Sequence, residues 1–327
     1  MPGLLSWLLV HGGAAAALTW GTRRYALWRG LVDAPGERRS HAVPTPRGGG
    51  IAIVAMVLSA CAWLAWRMPA HAGAIGLFAG GLLLVAAIGW VDDHRPLPAR
   101  QRFVVHLVSA FLLAGALALE ALPWWQVALG WLFAVCLVNI WNFMDGINGL
   151  AASQAAIAAA GYALVLPSPW AWIAWALAAA CLGFLPLNFP RARIFMGDVG
   201  SGALGYVLAG LLALSLDGID APVLALLPIV AFSIDAGFTL LRRVLCAEAW
   251  WQPHTTHAYQ RAARRLGHAP VTILCALFSI IATIAMLMLR HTGFMAGLAV
   301  TMCACLLASW IWARQQRLEN PGMRNAE

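Results

Sequence analysis

The residues able to do chemistry lie where apolar runs end. VDDH carries Asp92 and Asp93, NIWNFMDGINGL carries Asn139, Asn142 and Asp145, and FMGDVGSG carries Asp198. A further acid, Asp235, lies inside the run that ends at Arg242 and Arg243. An ionised Asp at a membrane helix costs a few kcal/mol unless it is paired or hydrated, so such residues are functional candidates. Oxygen-rich clusters suit a hard cation, and Mg²⁺ takes one or two carboxylates together with substrate phosphate and water. Arg47, Arg102, His254 and His257 occupy the same loops, and Arg offers phosphate a planar fork of donors. Acids for a metal and bases for phosphates imply a phosphorylated substrate.

Each group also has a structural reading. Asp92–Asp93 would be an ordinary helix end meeting water, except that an acid there opposes the helix dipole. Asn139, Asn142 and Asp145 recur every third residue on one helical stripe, where polar groups can also bond to other helices. Asp198 opens a run, a position where Asp commonly caps a helix. Asp235 is read as a structural ion pair with a neighbouring helix at least as readily as chemistry. HTTH could be a solvated loop, although the preceding Trp250–Trp251 pair marks a membrane interface. PTPRGGG and GDVGSG match no nucleotide-binding fingerprint, so Gly48 to Gly50 serve either a phosphate or close packing.

The elements that must position these groups are membrane helices. The chain of 327 residues is 62% hydrophobic and 10% charged, far below the roughly one-quarter charged expected of a soluble domain. The spacing predicts an all-α polytopic membrane protein, a single domain over 1–327. About 20 apolar residues cross the bilayer, which gives eleven spans near 3–20, 49–66, 72–91, 103–119, 122–141, 147–165, 169–187, 199–216, 221–241, 270–289 and 292–312. The first run lacks a basic leader and is read as retained. The seven Cys show no CxxC spacing and are read as small buried hydrophobes.

All 21 basic residues are Arg, and 19 of them fall in segments after odd-numbered spans or in the C-terminal tail; Arg67 and Arg290 are the exceptions. That asymmetry places the odd side, with the acids, His41, Arg38 and Arg39, in the cytoplasm. Scattered through short loops, the Arg residues indicate topology and not nucleic-acid binding.

In order, PTPRGGG, DDHRPLPARQRF, NIWNFMDGINGL, FMGDVGSGALG and HTTHAYQ resemble the polyprenyl-phosphate N-acetylhexosamine-1-phosphate transferase family, whose relatives include phospho-MurNAc-pentapeptide transferase, over residues 33 to 260. The resemblance implies a Mg²⁺- or Mn²⁺-dependent transfer of a sugar 1-phosphate from a UDP-HexNAc to undecaprenyl phosphate at the inner face of the bacterial cytoplasmic membrane, with UMP released. It implies that Asp198 binds the metal and that Asp92 and Asp93 lie by the lipid phosphate, with Asp92 as base or phosphate-orienting group. Asn142 and Asp145 would take the nucleotide side, in a site that Asn139 adjoins. His254 and His257 would contact the diphosphate and sugar, while Arg102 approaches phosphate and Arg47 assists in substrate binding. A homodimer is compatible with the family. His94 after the acid pair, Asn148 within DGING and HTTH depart from the peptidoglycan branch and favour initiation of O-antigen or another surface polysaccharide with GlcNAc, FucNAc or QuiNAc. The competing class is a transporter using intramembrane Asp for ion coupling. Transporters hold such acids near the midplane, often in repeated halves, whereas here they gather at one interface without a repeat.

Overall fold

The computed structural model describes residues 3–33, 43–248 and 254–319. His41, Arg38, Arg39, Trp250, Trp251 and Arg324 lie outside the described residues. The helices are α1 (Leu4–Arg29), α2 (Ile51–Arg67), α3 (Ala72–His94), α4 (Ala99–Leu119), α5 (Trp124–Met144), α6 (Leu150–Ala163), α7 (Trp170–Asn188), α8 (Asp198–Ser215), α9 (Val230–Leu245), α10 (Ala258–Leu266), α11 (His268–Leu289) and α12 (Phe294–Glu319). Two residue pairs, β1 (Val32–Asp33) and β2 (Thr45–Pro46), form a small antiparallel ladder beside them.

Among the described residues nine helices are long and apolar enough to cross a membrane, so the protein is a polytopic all-α membrane protein. The expected count of eleven is not reached by that measure. Helix α2 is apolar but has 17 residues, and α6 has 14. Two further departures have local causes. The run from 221 begins as a 3-10 helix over Pro222–Ile229 and becomes α-helical only at Val230, since in an α-helix the ring of Pro228 would clash with the Leu224 carbonyl. In the loop after α9, α10 is amphipathic and begins with a capping box in which His257 and Gln260 satisfy each other's backbone amides.

Helix α8 is the axis of the fold. Every residue from Val199 to Ser215 is buried, and the helix packs chiefly against α5 and α3. Small residues allow this, since interhelical packing in lipid depends on close backbone approach. A Cβ at Gly205 would come within 2.2 Å of the Leu137 carbonyl oxygen, and one at Gly89 within 2.4 Å of that of Asp198. Outer helices α1, α4, α11 and α12 instead expose large apolar side chains such as Leu5, Phe111, Ile281 and Leu306, the surface expected against acyl chains.

Candidate active site

The ends of α3, α5 and α7 and the starts of α8, α10 and α11 contribute residues, with Arg47 from the segment before α2, to the wall of a cavity of about 210 Å³. Arg47, Asp93, Asp145, Asn148, Asp198, Gln260 and His268 are among its lining residues.

The arrangement starts from α8. Its first residue is Asp198, yet no side chain of its own N-cap residue, Gly197, closes the helix. Asp93 does so from α3: its Oδ1 accepts the Asp198 amide at 3.1 Å and its Oδ2 the Val199 amide at 3.2 Å. A buried carboxylate on two orphan amides is matched both in hydrogen bonding and to the positive helix terminus. Gly197 adopts φ 76°, and a Cβ there would lie 2.4 Å from Asp93 Oδ2, so only glycine admits this cap.

With the capping done from elsewhere, the Asp198 carboxylate is free for other contacts. Arg102 Nη1 donates to Asp198 Oδ2 at 2.9 Å and to Asp92 Oδ2 at 3.1 Å. Asn142 Nδ2 donates to Asp198 Oδ1 at 3.0 Å and to Ser201 Oγ at 3.1 Å. Asp92 Oδ1 accepts the Leu97 amide at 2.6 Å, which closes the turn between α3 and α4. Two carboxylates from different helices thus converge on one cationic nitrogen. Among the described residues, no group of three or more His, Cys, Asp or Glu side chains forms a metal cage.

Asp145 follows the last turn of α5 and lines the same cavity. Burial, then the charges of Asp198 and Asp93, raises its pKa well above the usual 3.8. A carboxyl that holds its proton more tightly folded than unfolded loses stabilising power as pH rises above its unfolded value. Asp145→Asn is therefore expected to raise the melting temperature at neutral pH in metal-free detergent. The gain should shrink as pH falls towards 3.8, where the wild-type group is protonated in both states. A melting series against pH checks this, and a neutral-pH gain of zero would refute it.

The His segment is built around Asp235. Its Oδ1 accepts the Ala258 amide and its Oδ2 the Tyr259 amide, both at 2.9 Å, and Oδ1 lies 3.5 Å from His257 Nδ1. Asp235 is therefore the anchor of α10. His257 is 3% exposed and stacks with His254 at 4.9 Å between ring centroids. Burial, aided by His257 and Arg243 and opposed by Asp235, pushes the His254 pKa down to about 4. A neutral imidazole results at physiological pH, able to accept a hydrogen bond.

The predicted residues thus separate into groups. Asp92, Asp198, Arg102 and Asn142 are brought into one hydrogen-bonded cluster, with Asp93 and Asp145 beside it. Arg47 lines the cavity and donates to the Asp93 carbonyl oxygen. Asn139 is not brought in: its carboxamide donates to the Val135 carbonyl at 2.7 Å, one turn back in α5. Neither His254 nor His257 lines the cavity; Gln260, in the first turn of α10, represents that segment there. Sequence reasoning missed Gln260 and His268. The capping-box spacing from His257 could have pointed to the first; a lone His opening an apolar run gave no signal for the second.

The two Gly-rich stretches pair with each other instead of forming phosphate loops. Gly49 and Gly50 amides donate to the Phe195 and Met196 carbonyls at 2.9 and 2.8 Å, and a Cβ on Gly50 would lie 2.2 Å from the Gly200 Cα.

Residues 74–216 match the model of glycosyl transferase family 4. A probable undecaprenyl-phosphate N-acetylglucosaminyl 1-phosphate transferase of Bacillus subtilis is 30% identical, the match covering 82% of this chain and 80% of that protein. A decaprenyl-phosphate N-acetylglucosaminephosphotransferase of Mycolicibacterium smegmatis is 35% identical over 62% of this chain and 58% of its own length, so the chain spans less than two thirds of that relative. A phospho-N-acetylmuramoyl-pentapeptide-transferase of Thermosynechococcus vestitus is 36% identical over 51% of each chain.

Proposed function

The chain belongs to glycosyl transferase family 4, and from that premise we propose that it transfers a HexNAc 1-phosphate from a UDP-sugar to undecaprenyl phosphate. A phosphate oxygen of the acceptor attacks the phosphorus attached to the sugar. The bond from that phosphorus to the bridging oxygen breaks, UMP departs, and a lipid-linked sugar diphosphate remains. The observation that carries this reading is the convergence of Asp92 and Asp198 on one Arg102 nitrogen, with Asp198 also lining the cavity shared with Asp145 and Arg47.

The acceptor phosphate is anionic at neutral pH, so the difficulty is bringing two anions together and not creating a nucleophile. The oxygens of Asp92 and Asp198 suit Mg²⁺, or Mn²⁺ in its place, because a hard dication takes one or two carboxylates and completes its shell with phosphate and water. When bound, such an ion offsets charge on the transferring group. Arg102, held between the two acids, is within reach of a phosphate that enters there, and Arg47 offers a second guanidinium on the cavity wall. Asn142 orients Asp198. Asp93 acts as a positioning residue, since both its oxygens hold α8. Asp145 and Gln260 line the cavity for the nucleotide sugar.

The concentration of Arg on one side supports a site facing the cytoplasm in a bacterial inner membrane. His94, Asn148 and HTTH support a surface-polysaccharide or O-antigen role with UDP-GlcNAc, UDP-FucNAc or UDP-QuiNAc. Purified protein with undecaprenyl phosphate, Mg²⁺ and a panel of UDP-HexNAc sugars is expected to release UMP with at least one of them. Failure with every sugar, beside a working relative as control, would reject the reaction.

A further inference from the structure

The last cytoplasm-side turns of α12, where Arg314 and Arg317 end the apolar run, also carry Trp312, Gln315 and Gln316, about one hundred residues beyond the matched family region. Gln316 is buried, with 7% exposure, and both ends of its carboxamide are used. Its Oε1 accepts from Arg242 Nη1 of α9 at 3.0 Å, and its Nε2 donates to the Thr256 carbonyl of the His segment at 3.0 Å. A second strut starts one turn earlier. Trp312 Nε1 donates to Thr239 Oγ1 at 2.9 Å, and that hydroxyl donates to Asp235 Oδ1 at 3.2 Å, on the carboxylate that caps α10. Arg265 of α10 also reaches Gln315. Every one of these bonds ends on α9 or on the stretch from Thr256 to Arg265, and Thr256 in turn meets the His254 ring at 3.0 Å.

We propose that Gln316 is a positioning residue of the site, tethering the segment from His254 to Gln260 to the membrane bundle so that Gln260 is presented to the nucleotide sugar. The proposal rests on the transfer reaction above. A buried carboxamide satisfied at both ends discriminates by chemistry: Glu at this position keeps an oxygen for Arg242 but has no hydrogen to give the Thr256 carbonyl. Gln316→Glu therefore cuts the tether while retaining the contact to α9, and Gln316→Ala removes both.

The test uses full-length purified protein, with steady-state kinetics and amide hydrogen exchange measured in parallel. Both variants are expected to raise the KM for the UDP-sugar about five- to tenfold, the size of one lost hydrogen bond, while kcat and the KM for undecaprenyl phosphate change less than about twofold. Amides from 255 to 260 should exchange faster and those of α8 at the wild-type rate. A Gln316→Glu protein with wild-type exchange over 255–260 overturns the proposal, as does a lower melting temperature with unchanged UDP-sugar KM. A wild-type protein that turns over no UDP-sugar would defeat the transfer reaction, and the exchange difference would still decide the tether.

Discussion

Asp198→Asn is expected to lower kcat by about 10²–10³-fold, the range seen when one preorganised charge-stabilising group is removed, with the protein still folded. The structure separates these effects because the start of α8 is held by Asp93, and the Asp198 side chain takes no part in that cap. Asn has nearly the shape of Asp, so Arg102 keeps Asp92 and the helix keeps its amide partners. What is lost is one of two negative charges facing a single cationic position. UMP release should stay low at every Mg²⁺ concentration, while the melting temperature in detergent stays within a few degrees of wild type. Full activity across the titration would refute the assignment of Asp198 as metal ligand. Asp93→Asn provides the contrast: it should reduce stability as well, since one of its oxygens becomes an amide that cannot accept a hydrogen bond from α8.

The positions of the membrane helices were legible because a run of apolar residues has few alternatives once its length approaches the bilayer thickness. Polar residues near helix ends were legible as a candidate site for the complementary reason that they are costly there. Partners were not legible. Asp93 and the α8 amides are 105 residues apart, and Asp235 and the α10 amides 23 apart across a loop; nothing in local periodicity distinguishes an acid that caps another helix from one that meets substrate. Asn139 shows the opposite failure. It shares a stripe with Asn142 and Asp145, yet its carboxamide turns back to its own helix, the local competition that Asn side chains offer to backbone groups. The tether at Gln316 lay further out of reach, because a Gln near the end of an apolar helix resembles any residue leaving the membrane.

Gly50→Ala should be strongly damaging, costing about 1–3 kcal/mol by overpacking and most of the activity. At φ −62° the backbone would accept Ala without strain, so the penalty comes entirely from contact. The added Cβ would lie 2.2 Å from Gly200 Cα and 2.7 Å from its nitrogen. These are backbone atoms of α8 that cannot rotate away as a side chain could, so α2 and α8 must separate. Separation strains the Gly49 and Gly50 amide bonds to Phe195 and Met196 and shifts the segment that presents Asp198. The effect reaches the chemistry although Gly50 is not among the cavity-lining residues. Gly76→Ala is the matched control: it lies within α3 with nothing inside 4 Å of its added Cβ, and Ala there should be neutral or stabilising by about 1 kcal/mol. Parallel melting and UMP-release measurements on the two variants test the seam. Equal behaviour of Gly50→Ala and Gly76→Ala would mean that contact between α2 and α8 does not hold the carboxylates in place.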